Sequence, residues 1–189
     1  HNEYFMGPVN WEPNVPPPSW WDKIPNHQPI VYVAMGSSGR ADLLPMILNT
    51  VRESGMTVIL AGPEHFSSDY VFASPFFPWD KAAKRSVLMI GNGGSGAIYQ
   101  AIRAGIPLIG IVANQDQLIA MLYAEKANCG IMLRSNYVNS SDIKSAINRL
   151  LTENIYKMSL QSLQRESLKI NTEANFNQLL IEILRLQTQ

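Results

Sequence analysis

Three glycines in the middle of the chain form its clearest chemical motif. Gly91, Gly93 and Gly96 give the spacing G-x-G-x-x-G within "VLMIGNGGSGAIYQA". An apolar run that turns through glycines into a helix directs several backbone N–H groups and the positive helix end at one point, and glycine lets a phosphate approach that point. We therefore expect Gly93, Gly94 and Ser95 to bind phosphate, although a glycine-rich turn without a ligand has the same pattern.

Two further turns carry polar side chains suited to the same ligand. In "MGSSGRADLLP", Ser37 and Ser38 can donate to phosphate oxygens, and Asp42 is placed to cap the next helix. In "VANQDQLIAML", Asp116 and Gln117 can hold several sugar hydroxyls. The pattern leaves two alternatives open, since Ser38 also suits an ordinary turn and Asp116 a plain helix N-cap.

The three turns lie between short apolar runs and segments with the hydrophobic periodicity of helices. Because the runs are apolar on both faces and spaced by helix-length segments, they are typical of buried parallel strands. We predict an α/β fold, a doubly wound, Rossmann-like parallel sheet of six strands, with ligands at the carboxyl ends of the strands. The predicted strands are 30–36, 56–62, 70–74, 87–91, 107–112 and 130–133, and the predicted helices are 43–54, 94–104, 116–127, 141–151, 155–168 and 174–186.

The composition indicates one soluble domain and excludes several kinds of partner. The 189 residues are 46% hydrophobic, enough for a single core. Fifteen basic and fifteen acidic residues leave no net charge, which argues against nucleic acid as a partner. The single cysteine, Cys129, argues against disulfides and a cysteine-based metal site and favours the cytoplasm. No apolar run reaches the ~20 residues of a membrane helix, so we expect no transmembrane segment and no signal peptide.

Both ends of the chain differ from the predicted sheet region, 29–170. Residues 1–28 are rich in proline and include Trp11, Trp20 and Trp21, a composition typical of a stiff connector that lies on the domain or on a neighbour. Residues 171–189 form an amphipathic helix that packs either on this sheet or on a domain that is absent here. Its apolar stripe consists of Phe176, Leu179, Leu180, Ile183 and Leu184.

The glycine spacing alone also suggests a dinucleotide such as NAD. That fingerprint belongs to the first strand-helix-strand unit, with an acidic residue at the end of the second strand to hold the ribose. Here the motif follows the fourth predicted strand, and the next strand closes on Ile111 and Val112. An NAD-dependent oxidoreductase is therefore the function that the sequence supports least.

Several motifs in order resemble one family. The stretches "VYVAMGSSG", "GNGGSGAIYQAIRAGIPLIGIVANQDQ" and "AEKANCGIML" are similar to the nucleotide-sugar-binding half of UDP-glycosyltransferases of the GT-B fold, the group that contains glucuronosyltransferases and glucosyltransferases. The Pro- and Trp-rich entry resembles the interdomain linker of that family. The resemblance implies the C-terminal half only, with an acceptor-binding N-terminal domain absent.

The resemblance assigns roles to individual positions. The family pattern H-G-G-x-x-x-x-x-E falls on Asn92 to Gln100, which implies that Asn92 and the glycine turn hold the diphosphate and that Gln100 holds the ribose. Both side chains keep hydrogen-bonding capacity but bring no charge. Ser37 corresponds to the family's serine in the first loop, and Asp116 with Gln117 to the pair that grips the donor sugar.

The base platform of the family falls on residues 76–79. Phe76 takes the place of the stacking tryptophan, Pro78 is retained, and Trp79 replaces a glutamine. A nucleotide base could stack on Phe76.

The resemblance also implies a reaction, the inverting transfer of a hexose from a UDP-sugar to an acceptor hydroxyl without a cofactor or metal. Its general base is a histidine of the N-terminal domain, so we expect no catalytic residue here and assign His1, His27 and His65 to ordinary surface or loop positions. The chain alone is then expected to bind donor without transferring sugar. The alternative is a non-catalytic nucleotide-sugar-binding module.

Overall fold

The strands lie close to the predicted apolar runs in a computed structural model, which describes residues 4–9 and 12–186, with side chains as far as Leu184. The strands are β1 (Ile30–Ala34), β2 (Thr57–Ala61), β3 (Val71–Ser74), β4 (Leu88–Gly91), β5 (Leu108–Val112) and β6 (Gly130–Arg134). The helices are α1 (Leu44–Glu53), α2 (Trp79–Arg85), α3 (Ser95–Ala104), α4 (Gln115–Lys126), α5 (Ser140–Thr152), α6 (Asn154–Lys169) and α7 (Thr172–Leu186).

All six strands pair in parallel, in the order β3-β2-β1-β4-β5-β6. The strand side chains are buried on both faces because helices cover both. On one face Ile47 of α1 and Ile143 of α5 pack on the sheet, and on the other Ile98 of α3 and Met121 of α4 do so. The predicted α/β fold, doubly wound and with six parallel strands, is confirmed.

Two local predictions need correction. Helix α2 was not predicted, because its seven residues are too few to show a helical period. Asp42 does not cap α1: it lies in a 3-10 turn, and its carboxylate accepts two hydrogen bonds from the Arg40 guanidinium, at 2.8 and 2.6 Å. The helix starts one residue later, after Leu43, with Pro45 in its first turn.

The proline-rich segment before β1 lies along the sheet domain in its described part. The indole Nε1 of Trp20 donates to the Ala73 carbonyl at 3.1 Å, and the ring packs against Phe72 and Phe77. The Arg85 guanidinium carbon lies 5.4 Å from the centroid of the Trp21 ring, which is a cation–π contact. Trp11 lies outside the described residues.

Helix α7 contacts the beginning of the chain. Thr172 Oγ1 donates to the Pro8 carbonyl at 3.0 Å, and Asn175 Nδ2 to the Met6 carbonyl at 3.2 Å. The apolar stripe is not buried against the sheet, since side chains along it are between 43% and 53% exposed (Phe176, Leu180, Ile183 and Leu184). The alternative in which this stripe packs on the domain's own sheet is therefore wrong.

Candidate functional site

The strand order creates a crevice at the carboxyl edge of the sheet. Strand β1 lies between β2 and β4, so the chain leaves β1 and β4 in opposite directions, and Ala34 is paired with Gly91 at the point of divergence. In open α/β sheets ligands bind at such a switch point. We call this place the switch-point crevice: it lies between the loop 36–40 after β1 and the turn 92–94 after β4.

The turn after β4 has a backbone that only glycine fits. Gly93 has φ +74°, and a Cβ placed there would lie 2.6 Å from Met121 Cγ and 3.0 Å from Val112 Cγ1. Helix α3 starts at Ser95, and its N-cap residue Gly94 supplies no side-chain cap. The free N–H groups of the first helical turn therefore point into the crevice with the positive end of the helix behind them, which is an arrangement that binds anions.

The third glycine of the motif does not serve the purpose it has in a dinucleotide fingerprint. In that fingerprint the last glycine allows the helix to pack closely on a strand. A Cβ at Gly96 would meet nothing within 4 Å. Together with the position of the motif after the fourth strand, this open space argues against the NAD interpretation.

Three predicted site residues meet in one hydrogen-bonded group, which we call the serine-amide cluster: Ser38, Asn92 and Gln117. Asn92 Nδ2 donates to Ser38 Oγ at 3.2 Å, and Gln117 Nε2 donates to the same oxygen at 3.1 Å. The cluster ties the loop after β1 to the turn after β4 and to the start of α4. Ser37 lies exposed in the same loop.

Gln117 is more deeply placed than its predicted sugar contact requires. Its side chain is 2% exposed, Oε1 accepts from the Ala113 N–H at 2.8 Å, and Nε2 also donates to the Ser38 carbonyl at 3.3 Å. Asp116 is exposed at the start of α4 and does not cap it, because the N-cap is Asn114, whose Oδ1 accepts from the Gln117 N–H at 3.0 Å. The plain N-cap interpretation of Asp116 is therefore wrong.

The predicted base platform follows β3 at the same edge. Phe76 is 60% exposed, so its ring is free of the core, whereas Phe77 is fully buried. The Ser74 hydroxyl donates to the Phe76 carbonyl at 3.1 Å and fixes the loop. Pro78 is buried as the N-cap of α2, and Trp79, half-buried, begins that helix.

Gln100, the predicted ribose contact, has a partner inside the protein. It lies half-buried on α3, and its side chain is hydrogen-bonded to the hydroxyl of Tyr32 in β1. Burial raises the pKa of Tyr32 well above its ordinary value, so the phenol stays protonated. A contact from Gln100 to a ribose would require it to share or leave this hydroxyl.

Comparison with known proteins decides the family. Residues 69–183 match the family described as "Erythromycin biosynthesis protein CIII-like, C-terminal domain". The chain belongs to this family. The resemblance to the C-terminal domain of GT-B glycosyltransferases is thereby confirmed.

Individual relatives support the assignment. A "PGL/p-HBAD biosynthesis glycosyltransferase" of Mycobacterium tuberculosis is 37% identical over 155 residues, which are 80% of this chain and 36% of the relative. A "PGL/p-HBAD biosynthesis rhamnosyltransferase" of Mycobacterium bovis is 36% identical over 160 residues, 82% of this chain and 36% of the relative. The chain thus spans about a third of the length of these curated relatives.

Solved structures share the fold at low sequence identity. The "Spinosyn Forosaminyltransferase SpnP" matches with a TM-score of 0.81 at 16% identity, over 94% of this chain and 49% of that protein. The "glycosyltransferase VinC in complex with DTDP" matches with a TM-score of 0.75 at 19% identity, over 92% of this chain and 45% of that protein. The chain has the fold of one half of such glycosyltransferases.

The charged groups of this EryCIII-like domain include an ion pair at the edge of the crevice. Arg40, beside the crevice, pairs with Asp42 and donates to Asn136 Oδ1 at 3.2 Å, and the pair holds the pKa of Asp42 below its usual value. The ring of His65 packs on Phe66, and His1 lies outside the described residues.

Within residues 4–9 and 12–186, no group of three or more His, Cys, Asp or Glu side chains is placed to hold a metal ion. No helix in that part of the chain is long and apolar enough to cross a membrane.

Sequence reasoning missed the partners of the predicted residues. Asn114 and Gln117 have the spacing of a capping box, in which the residue at the third helical position reaches back toward the helix start. That signal predicts the start of α4 at Gln115 and an inward role for the Gln117 side chain.

Proposed function

We propose that this chain is the donor-binding half of an inverting glycosyltransferase, which transfers a hexose or deoxyhexose from a UDP- or dTDP-sugar to an acceptor hydroxyl. In this reaction a base removes the acceptor proton, the acceptor oxygen forms a bond to the anomeric carbon, and the bond from that carbon to the diphosphate oxygen breaks. The nucleoside diphosphate leaves with the electron pair. The protein must stabilise this developing negative charge.

The observation that carries the proposal is the Gly93 turn in the switch-point crevice. The N–H groups that follow it at the start of α3 have no side-chain cap from Gly94, and they can receive diphosphate oxygens without reorganisation when the leaving group departs. The Gly94 N–H itself donates to Asn92 Oδ1. Ser37 and Ser38 across the crevice, with Asn92, Gly94 and Ser95 in the turn, complete the proposed diphosphate site. The family match and the dTDP-bound neighbour support a nucleotide sugar as the ligand.

The remaining parts of the donor are assigned from the resemblance. The exposed ring of Phe76 is the proposed platform for the nucleotide base. The Ser74 hydroxyl holds this loop in place, and Pro78 and Trp79 complete the proposed base and ribose site. Gln100 is the proposed ribose contact, in exchange with Tyr32. Asp116, exposed at the start of α4, is the proposed contact to the donor-sugar hydroxyls.

A companion domain is proposed to bind the acceptor and supply the base. The chain covers about a third of its curated relatives, and the stripe on α7 is half-exposed, as expected of a surface that another domain covers. We propose residues 1–28 as the linker to that domain, 29–170 as the donor domain and 171–189 as the helix that packs on the companion. Without the companion, the chain binds donor and does not transfer sugar.

Calorimetric titration of the 189-residue chain tests the donor site. UDP and dTDP are each titrated with and without an attached sugar, and NAD serves as the competing dinucleotide. We expect a nucleoside diphosphate to bind and NAD to be silent. Asn92→Ala should weaken the diphosphate and the nucleotide sugar by the same factor, about five- to tenfold for one hydrogen bond near a charge. Asp116→Ala should weaken only the sugar form.

Matched variants separate these effects from general damage. Asp69→Ala removes an exposed aspartate before β3, at the opposite end of the sheet, and Asn148→Ala removes an exposed asparagine on α5. Both should leave every affinity unchanged. Heat from NAD but not from UDP or dTDP would contradict the proposal, and so would silence from all nucleotides.

A non-catalytic nucleotide-sugar-binding module is the second candidate. It is favoured by the neutral Asn92 at the family's histidine position and by the engagement of Gln100 with Tyr32. A longer protein that includes an N-terminal half distinguishes the two candidates. Donor binding without any sugar transfer to acceptors in that protein would select the module, whereas turnover would select the enzyme.

A further inference from the structure

The hydroxyl of Ser38 is the shared acceptor of the serine-amide cluster. Its Oγ receives Asn92 Nδ2 at 3.2 Å and Gln117 Nε2 at 3.1 Å. A serine hydroxyl has two lone pairs and one proton. Both lone pairs are therefore used inside the protein, and the proton is the part of the hydroxyl that remains for a ligand.

The orientation of both amides is fixed by backbone donors. Asn92 Oδ1 accepts from the Gly94 N–H at 3.0 Å, and Gln117 Oε1 accepts from the Ala113 N–H at 2.8 Å. Turning either amide over would place an NH2 group against an N–H group. The nitrogen ends must consequently face Ser38, and neither amide can accept its proton.

We infer that Ser38 is a dedicated hydrogen-bond donor to a diphosphate oxygen, and that Gln117 is a positioning residue that orients it instead of a contact to the donor sugar. This inference rests on the proposed function and deepens it. The residue Ser38 is exposed to solvent at the switch-point crevice, so its proton can reach a ligand there. Gln117 is buried, and both ends of its amide are occupied.

The group that Ser38 binds must supply a lone pair, and the position of the cluster favours an anionic one. Asn92 belongs to the turn that leads into α3, so Ser38 faces the same space as the free N–H groups of that helix. Hydrogen bonds from a hydroxyl to an anion are shorter and stronger than neutral ones. A diphosphate oxygen is thus the best partner, and Gln117 acts on it only through Ser38.

Titration with UDP and UDP-glucose in parallel tests the inference on the 189-residue chain. Ser38→Ala and Gln117→Leu should each weaken UDP and UDP-glucose by one common factor, about tenfold. The double variant should lose no more affinity than Ser38→Ala alone, because Gln117 acts through that hydroxyl. Losses that multiply in the double variant would show a separate or merely structural role of Gln117 and overturn the inference.

Gln117→Glu offers a test that preserves side-chain size and the bond from the Ala113 N–H. The carboxylate accepts where the amide donated, so the Ser38 proton turns toward it and away from the crevice. Asn114→Asp is the charge-matched control, since it adds one negative charge at the same helix start and keeps the N-cap acceptor. Gln117→Glu should weaken UDP several-fold more than Asn114→Asp, and equal losses would overturn the inference.

The outcomes distinguish this inference from the proposed function. A loss confined to UDP-glucose in Gln117→Leu would make Gln117 a sugar contact and overturn the inference while the donor site stands. Failure of the unsubstituted chain to bind UDP, dTDP or their sugars would overturn both. Thermal unfolding of each variant, followed by circular dichroism, checks that the affinities are compared between folded proteins.

Discussion

At the carboxyl end of the sheet, Ser38 and Asn92 lie partly in solvent with hydrogen-bonding capacity directed into a crevice, whereas at the amino end Thr57 and Cys129 are buried and bonded inside the protein. Thr57 Oγ1 donates to Gln28 Oε1 at 2.9 Å, and Cys129 Sγ donates to the Ala124 carbonyl at 3.3 Å. The proposed ligand site thus lies at one end of the sheet, whereas the polar groups of Thr57 and Cys129 at the other end are bonded inside the protein. Substitutions at the first end should change affinity, and substitutions at the second should change stability alone.

The largest effect is expected from Gly93 in the turn after β4, with Gly96 in α3 as the comparison. Gly93→Ala should lower the free energy of unfolding by about 2–4 kcal/mol, because φ +74° is strained for alanine and the new Cβ would lie 2.6 Å from Met121 Cγ. Gly96→Ala should instead raise it by about 0.5–1 kcal/mol, since this helical position has open space and alanine favours a helix. Urea denaturation followed by circular dichroism measures both.

Ligand affinity sharpens this first comparison. Gly93→Ala should also weaken UDP, because the N–H groups of the turn move with the displaced backbone. A Gly93→Ala variant with unchanged stability, or a Gly96→Ala variant that unfolds as easily as Gly93→Ala, would contradict the packing described for this turn.

The next effect is a dependence on pH at the amino end. Burial raises the pKa of the Cys129 thiol from 9.0 to about 11. Between these values the unfolded chain has released the proton that the folded chain retains, so the free energy of unfolding falls as the pH rises. The fall should reach about 2 kcal/mol near pH 11 and be absent below about pH 8.

Cys129→Ala isolates this contribution. Other groups that titrate in the same range, such as the buried Tyr32, are present in both proteins and cancel in the difference. The two proteins should therefore differ in the slope of unfolding free energy against pH above 9, with the steeper fall in the unsubstituted chain. Parallel slopes would mean that the thiol is less buried than described.

The sheet could be predicted from the sequence because its signal is local. A continuous apolar run is typical of a strand that is buried on both faces, and the runs "IVYVA" and "LIGIV" form such strands. The strand order then places the turns after β1 and β4 side by side. Helix α2 escaped prediction, since seven residues after Pro78 carry no full hydrophobic period.

The candidate site was only partly predictable, because the role of a polar side chain depends on contacts between distant segments. The sequence indicates that Ser38, Asn92 and Gln117 follow three strands, but their hydrogen bonds to one another span 54 and 79 residues. Asp42 shows the converse: it has the position of a helix cap, yet the neighbouring Arg40 holds its carboxylate. The types of these residues therefore predict where the site lies, but which hydrogen bonds each side chain makes depends on the other groups that the fold brings within reach.

The smallest effect is expected from the polar pair at the amino end. Thr57→Val keeps the shape of the buried side chain and removes its bond to Gln28, an exposed residue whose amide can turn to water. The cost should be about 1 kcal/mol of unfolding free energy. Gln28→Ala should cost at least as much, because it leaves the buried Thr57 hydroxyl without its acceptor.

The double variant decides whether this pair acts as a unit. If it does, Thr57→Val with Gln28→Ala should destabilise the protein by less than the sum of the single changes, since each removes the same hydrogen bond. UDP affinity should stay unchanged in all three proteins, because no atom of the pair lies at the carboxyl edge. A change in UDP affinity in any of these proteins would mean that the two ends of the sheet are coupled. The proposed separation between residues that bind ligand and residues that stabilise the fold would then be wrong.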